Sequence, residues 1–156
     1  MKPLEFAQKY PDEESCITKL RELREREIRV CPRCGHKEWY WKSDKLSYEC
    51  KKCRHRESIR KGTVMENSKL PFLYWFMTMH LLTTTKKTFS AIELQRQLGH
   101  KRYQPVWEML HKLNGLCDKL NSQGSGERKF DRLLLASVGH VTDFKHRVYN
   151  KRLGLA

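Results

Sequence analysis

Residues 31–53 read CPRCGHKEWYWKSDKLSYECKKC, two Cys-x-x-Cys pairs separated by fifteen residues. No other feature of the chain restricts its fold as strongly. Pairs with a spacer of this length form a zinc-site pattern. Zinc takes four ligands tetrahedrally, thiolates satisfy it at about 2.3 Å, and a Cys-x-x-Cys turn lets two sulfurs face one ion. Gly35 allows the tight turn after Cys34, and Pro32 stiffens the first knuckle. Cys31, Cys34, Cys50 and Cys53 are therefore the expected ligands of one structural Zn2+ per chain. His36 and His55 flank them, but four cysteines already fill a tetrahedral site. A redox-active dithiol is the competing reading, although that chemistry normally needs one pair in a βαβ setting. Cys16 and Cys117 fall in helical patterns as small buried hydrophobes.

Between the pairs, KEWYWK and KLSYEC are aromatic-rich and β-prone, with SDK as a hairpin turn, and RHRESIR (54–60) supplies a third strand. A sheet this small needs a metal to hold it, which makes 31–62 a zinc ribbon. Alternation puts Trp39 and Trp41 on one face and Tyr40 on the other.

Formal charge is +14. Residues 1–30 carry seven basic and seven acidic side chains, so the excess begins at the first cysteine and runs to the end. Such a surface points to a polyanion partner. The longest apolar run, LPFLYWFMTMHLL (70–82), is too short for a membrane span and contains His80, so it reads as a buried helix. With no apolar leader at the N-terminus, the expectation is an intracellular, cytoplasmic protein whose cysteines stay reduced.

Around the ribbon the pattern is helical. PDEESCITKLREL (11–23) has acidic residues in its first turn, with Cys16, Ile17, Leu20 and Leu23 at helical spacing. KGTVMENSKLP reads as a linker, and Pro71 opens a helix to about Leu82 with a stripe of Phe72, Phe76, Met79 and Leu82. SAIELQRQLG (90–99) follows, with Ser90 and Glu93 as a capping box and Gly99 as the stop. Another helix begins near Gln104-Pro105, with Val106, Leu110, Leu113 and Cys117 on one face. Two helices joined by a Gly-containing turn and braced by an earlier one predict a helix-turn-helix. Lys101, Arg102, Tyr103 and Gln104 cluster where a recognition helix meets DNA, and Gln104, Glu108 and His111 share the face opposite the apolar stripe. Arg and Gln read guanine and adenine edges. Lys51, Lys52, Arg54, Arg56, Lys86 and Lys87 are the expected phosphate contacts.

In order, PDEESC, CPRCG, CKKC, KGTVMENSKLP, LLTTTKK, SAIELQRQLG and VWEMLHKL resemble the N-terminal half of insertion-sequence transposases of the IS1595 (ISXO2-like) family, over roughly residues 10–116. The resemblance implies a ribbon and helix-turn-helix that grip terminal inverted repeats, followed by an RNase H-like nuclease domain. The chain departs from the family there. Past Leu116 come forty residues in which Asp118, Glu127, Asp131 and Asp143 are the acidic groups. A nuclease core needs on the order of 100 residues or more.

The sequence thus predicts an α+β chain: an N-terminal helical segment (1–30), the ribbon (31–62), a helix-turn-helix bundle (63–120) and a Ser/Gly linker with a basic tail (121–156). The leading expectation is a sequence-specific binder of double-stranded DNA with no catalytic residues of its own. Two alternatives stay open. The chain is one subunit of a split transposase, catalytic with a nuclease-bearing partner; or the ribbon binds RNA or docks a protein, with Trp39, Tyr40 and Trp41 stacking on unpaired bases.

Overall fold

The computed structural model describes residues 2–27, 29–85, 88–120 and 126–135. It has an α+β architecture of helices and one three-stranded antiparallel sheet, in the order β1-β2-β3. Helix α1 (Pro3–Lys9) and α2 (Glu13–Arg26) precede strands β1 (Trp39–Lys42), β2 (Ser47–Cys50) and β3 (Arg56–Ser58). Helices α3 (Phe72–Thr84), α4 (Ala91–Leu98), α5 (Tyr103–Leu120) and α6 (Gly126–Leu135) follow. The expected 11–23 helix is α2, opened by Asp12, whose side chain accepts from the Ser15 N–H at 2.8 Å. Helix α1, unforeseen in the sequence, has Pro3 in its first turn and buries Phe6.

Helix α3 is the centre of the helical body. The predicted stripe holds for the fully buried Phe72, Phe76 and Met79, while Leu82 is half-buried. Trp75, Thr78 and His80 are buried as well, because α2, α5 and α6 pack against different sides of the helix. Its last turn is threonine-rich. Thr83, Thr84 and Thr85 donate their hydroxyls to the carbonyls of Met79, His80 and Leu81 at 2.9, 2.7 and 2.6 Å. These are second bonds to carbonyls that the helix ladder already uses, since the Leu81 carbonyl also accepts the Thr85 N–H at 3.1 Å.

The first turn of α3 has no cap of its own, since Pro71 offers no side-chain acceptor. Glu13 of α2 supplies one from 59 residues away. Its Oε1 accepts from the Phe72 N–H at 2.6 Å and its Oε2 from the Leu73 N–H at 2.8 Å. A carboxylate here satisfies two orphan donors and faces the positive end of the helix dipole.

The 61–70 segment turns as its composition suggests, but it is no loose linker. Thr63, Val64 and Met65 have no exposed surface, and Val64 and Met65 belong to the same core as Tyr48, Ile59 and the helices. Arg60 secures the segment, donating to the Ser68 carbonyl at 2.9 Å while its guanidinium lies 3.9 Å from the Phe72 ring centre. Arg24 is also buried and donates to the Lys61 carbonyl at 2.7 Å.

The last described helix, α6, docks Phe130, Leu133 and Leu134 into the body. Phe130 meets Phe6, Tyr10 and Phe76 in an aromatic cluster, and Lys19 pairs with Asp131 at 3.4 Å. Residues 136–156, with Asp143, lie outside the described residues. Across the cluster the His80 ring stacks on Phe6 at 4.4 Å.

Glu13→Ala should lower unfolding free energy by about 1–2 kcal/mol, the usual effect of deleting a helix cap. Glu14→Ala, at an exposed position of the same helix turn, should change it by less than about 0.5 kcal/mol. Urea unfolding followed by circular dichroism distinguishes the two.

Burial lowers the His80 pKa, so the fold favours the neutral ring. The unfolded histidine titrates near ~6.5, so this contribution is fully present above that pH and is lost as pH falls towards the folded value. His80→Phe, which keeps a ring against Phe6, should flatten the loss of stability between pH 7 and 5. Urea midpoints of both proteins across that range provide the comparison.

Candidate metal centre and basic surface

Two similar knuckles carry the cysteines. In the first, the Gly35 N–H donates to the Cys31 carbonyl at 2.8 Å and the Cys31 N–H to the His36 carbonyl at 2.9 Å. In the second, Arg54 N–H to Cys50 carbonyl spans 3.0 Å and Cys50 N–H to His55 carbonyl spans 2.8 Å. The residue after each second cysteine is left-handed, Gly35 at φ 72° and Arg54 at φ 59°. Glycine takes that conformation freely, whereas an arginine is held there against steric cost. The two histidines thus serve their knuckles through backbone carbonyls.

The four sulfurs lie within 4.8 Å of one another. The pairs Cys31–Cys53 and Cys34–Cys50 are 3.5 Å apart, each spanning the two knuckles. A tetrahedral zinc with thiolates at about 2.3 Å needs sulfur separations of about 3.8 Å, so the cluster has the dimensions of such a site. A disulfide needs about 2.05 Å, and all six cysteines are free thiols. Contacts between knuckles, rather than within one pair, suit a shared ion better than a dithiol couple. The donor set is soft, and four thiolates would hold zinc in a closed, structural site.

Proton affinities in the cluster diverge. At Cys50 burial acts upward but is outweighed by hydrogen bonds from the backbone of Cys53 and Lys52 and by neighbouring sulfurs, so the thiol comes down to about 7. At Cys53 burial, reinforced by the other three sulfurs, pushes the thiol up to about 12. Cys16, outside the cluster and wholly buried in α2, is pushed up to about 12 by burial.

One face of the ribbon leans on the end of α2 and the residues after it. Trp39 donates its indole N–H to the Arg29 carbonyl at 3.2 Å. The Arg29 guanidinium lies 4.5 Å from the Tyr48 ring centre and pairs with Glu57 at 2.8 Å, while Arg21 lies 5.3 Å from the Trp41 ring centre. The two tryptophans expected on one face are therefore half-covered by arginines. Tyr40, on the opposite face, remains 56% exposed.

The predicted nucleic-acid contacts divide into paired and unpaired cations. Lys51 bonds Glu38 at 3.0 Å, which lowers the Glu38 pKa and raises that of Lys51. Arg56 and Lys42 bond Glu49 at 2.7 and 2.8 Å and bring its carboxyl to about 2. Lys52 and Arg54 are exposed and have no carboxylate partner among the described residues. Lys86 and Lys87 lie outside the described residues.

In α4 the Ser90 side chain accepts from the Glu93 N–H at 3.2 Å, and Gly99, at φ 65°, ends the helix. Helix α5 starts four residues later and packs on α4 and α3. Its inner face is Val106, Met109, Leu110, Leu113 and Leu116, with Cys117 half-buried. Lys101, Arg102, Tyr103 and Gln104 are all exposed at its start. Gln104 donates to Glu108 at 3.2 Å, one turn on, whereas His111 is tucked against the Trp107 ring at 4.0 Å and burial lowers its pKa. The expected polar face therefore splits, with Gln104 and Glu108 open and His111 half-covered.

No described helix is long and apolar enough to cross a membrane. No family model matches the chain, and neither does any curated protein or solved structure.

Protein purified without chelators should carry one zinc per chain by elemental analysis. Cys34→Ser should release it, weaken the near-ultraviolet signal of the ribbon tryptophans and lower the melting temperature while most helical signal persists. Acid should release the ion too, because protons compete for the thiolates.

Proposed function

We propose that this chain is a sequence-specific binder of double-stranded DNA, built like the DNA-binding half of an insertion-sequence transposase, with zinc in a purely structural role. The observation that carries the reading is the start of α5. Two helices are joined by a short turn with a left-handed glycine, α3 packs against the second, and Lys101, Arg102, Tyr103 and Gln104 stand exposed where that second helix begins. In a helix-turn-helix the second helix presents its N-terminal residues to base edges in the major groove. Gln104 suits adenine, which takes a bidentate amide, and its bond to Glu108 fixes the orientation of that amide.

The ribbon would act as a second grip. Lys52 and Arg54, at the tip of the second knuckle, are suited to phosphates, which position a protein without reading sequence. Catalysis would fall to another domain or polypeptide, which is the split-transposase form of the same proposal.

Duplex binding measured by fluorescence anisotropy should weaken steeply with salt. Six to ten phosphate contacts correspond to a loss of about 10³–10⁵ in affinity between 50 and 200 mM. Selection from a randomised duplex library should yield a defined site. Gln104→Ala should relax one or two positions of it by about 1–3 kcal/mol, and Lys52→Ala should weaken all sequences alike. A flat salt response, or tighter binding to single-stranded RNA, would contradict the reading.

A further inference from the structure

Beside the start of α5 lies a pocket of about 430 Å³, closed on its other side by residues 67–70. Four of its lining residues, Lys69, His100, Arg102 and Lys112, carry cationic or protonatable side chains, against one carboxylate, Glu108. That carboxylate accepts from Gln104. Lys112 reaches the Glu66 carbonyl at 3.3 Å, and Lys69 and Arg102 are exposed with no carboxylate partner among the described residues. The turn before the helix is held open by His100, whose Nδ1 meets the Arg102 N–H at 3.2 Å.

The fifth wall is Trp75 of α3, 1% exposed, whose indole Nε1–H has no hydrogen-bond partner. That nitrogen is closed off from solvent, so Trp75 borders the pocket as part of its floor and serves there as a reporter.

The geometry points to a phosphate-binding site in this pocket, with Lys69, Arg102 and Lys112 as its charged walls and the Trp75 ring at its floor. It deepens the DNA-binding reading and rests on it for the source of the phosphate, which would be the duplex backbone next to the bases faced by Gln104. Arg102 is then a backbone contact. A phosphate suits the pocket better than a carboxylate because three oxygens can serve separate walls at once, and lysine and arginine both bind it with charge-assisted bonds.

The indole ¹H–¹⁵N resonance of Trp75 reports on the site and is assigned by its loss in Trp75→Phe. Inorganic phosphate in the millimolar range should shift it, while chloride at equal ionic strength should not, and the exposed-site double variant Lys69→Gln/Arg102→Gln should abolish the shift. A bound duplex should shift the same resonance, and the double variant should reduce the slope of log affinity against log salt by about two. A shift with phosphate but not with the duplex supports the pocket with a free phosphate ligand. Duplex binding with no shift by either probe and an unchanged slope overturns the pocket and leaves the DNA reading standing. A phosphate shift in a chain that binds no duplex sinks the DNA reading and leaves the pocket.

Discussion

Three strands of four, four and three residues cannot bury a core between them, and the rest of the molecule is arranged around that deficit. The sheet is closed at one end by the four thiols and along one face by arginines from α2 and the segment after it. Arg29 does most on that face. It lies over Tyr48 and Trp39, pairs with the half-buried Glu57, and offers its carbonyl to the Trp39 indole. A guanidinium can do all of this because it is flat enough to stack and still keeps donors at its edge. The face thereby becomes structural, and the opposite face is left with the Lys42–Glu49–Arg56 ladder and Tyr40.

The same helix that braces the sheet also starts the helical body. Its first turn supplies Glu13 to the bare N-terminus of α3, and its last turn supplies Arg24 to the Lys61 carbonyl. Between those contacts runs the buried 63–65 segment, so the connection between ribbon and helices is packed rather than tethered. Helix α2 thus touches both the ribbon and the root of α3, against which α5 is set.

What the sequence made legible was local. The cysteine spacing, the hairpin turn, the Ser90 cap and the Gly99 stop are each written within a few residues, and each has its structural counterpart. The sequence concealed contacts between distant segments. Glu13 looks like an ordinary first-turn acid until α3 arrives 59 residues later, and Arg29 looks solvated until β3 brings Glu57. Lys51 and Arg56 look like phosphate contacts in the sequence because pairing of the strands is what brings up their carboxylates, Glu38 just before β1 and Glu49 on β2. The β1–β2 register places Tyr40 opposite Glu49, and β3 brings Arg56 opposite the same residue. Helix α1 is hard to read in the sequence because seven residues give too little periodicity.

Charge pairing also changes what a formal +14 means for a polyanion. Lys19, Arg21, Arg24, Arg29, Lys42, Lys51, Arg56 and Lys61 each face a carboxylate within 4.0 Å. Counterion release on binding DNA comes from phosphates meeting cations, and a cation already facing an internal anion must give up that pairing first. Every one of these paired cations lies at or before Lys61. Beyond it, Lys69, Lys101 and Arg102 have no carboxylate partner among the described residues, and the carboxylate beside Arg102 is engaged by Gln104. Much of the charge up to Lys61 is thus spent inside the molecule, whereas Lys52 and Arg54 at the second knuckle and the cations at the start of α5 face no internal carboxylate among the described residues.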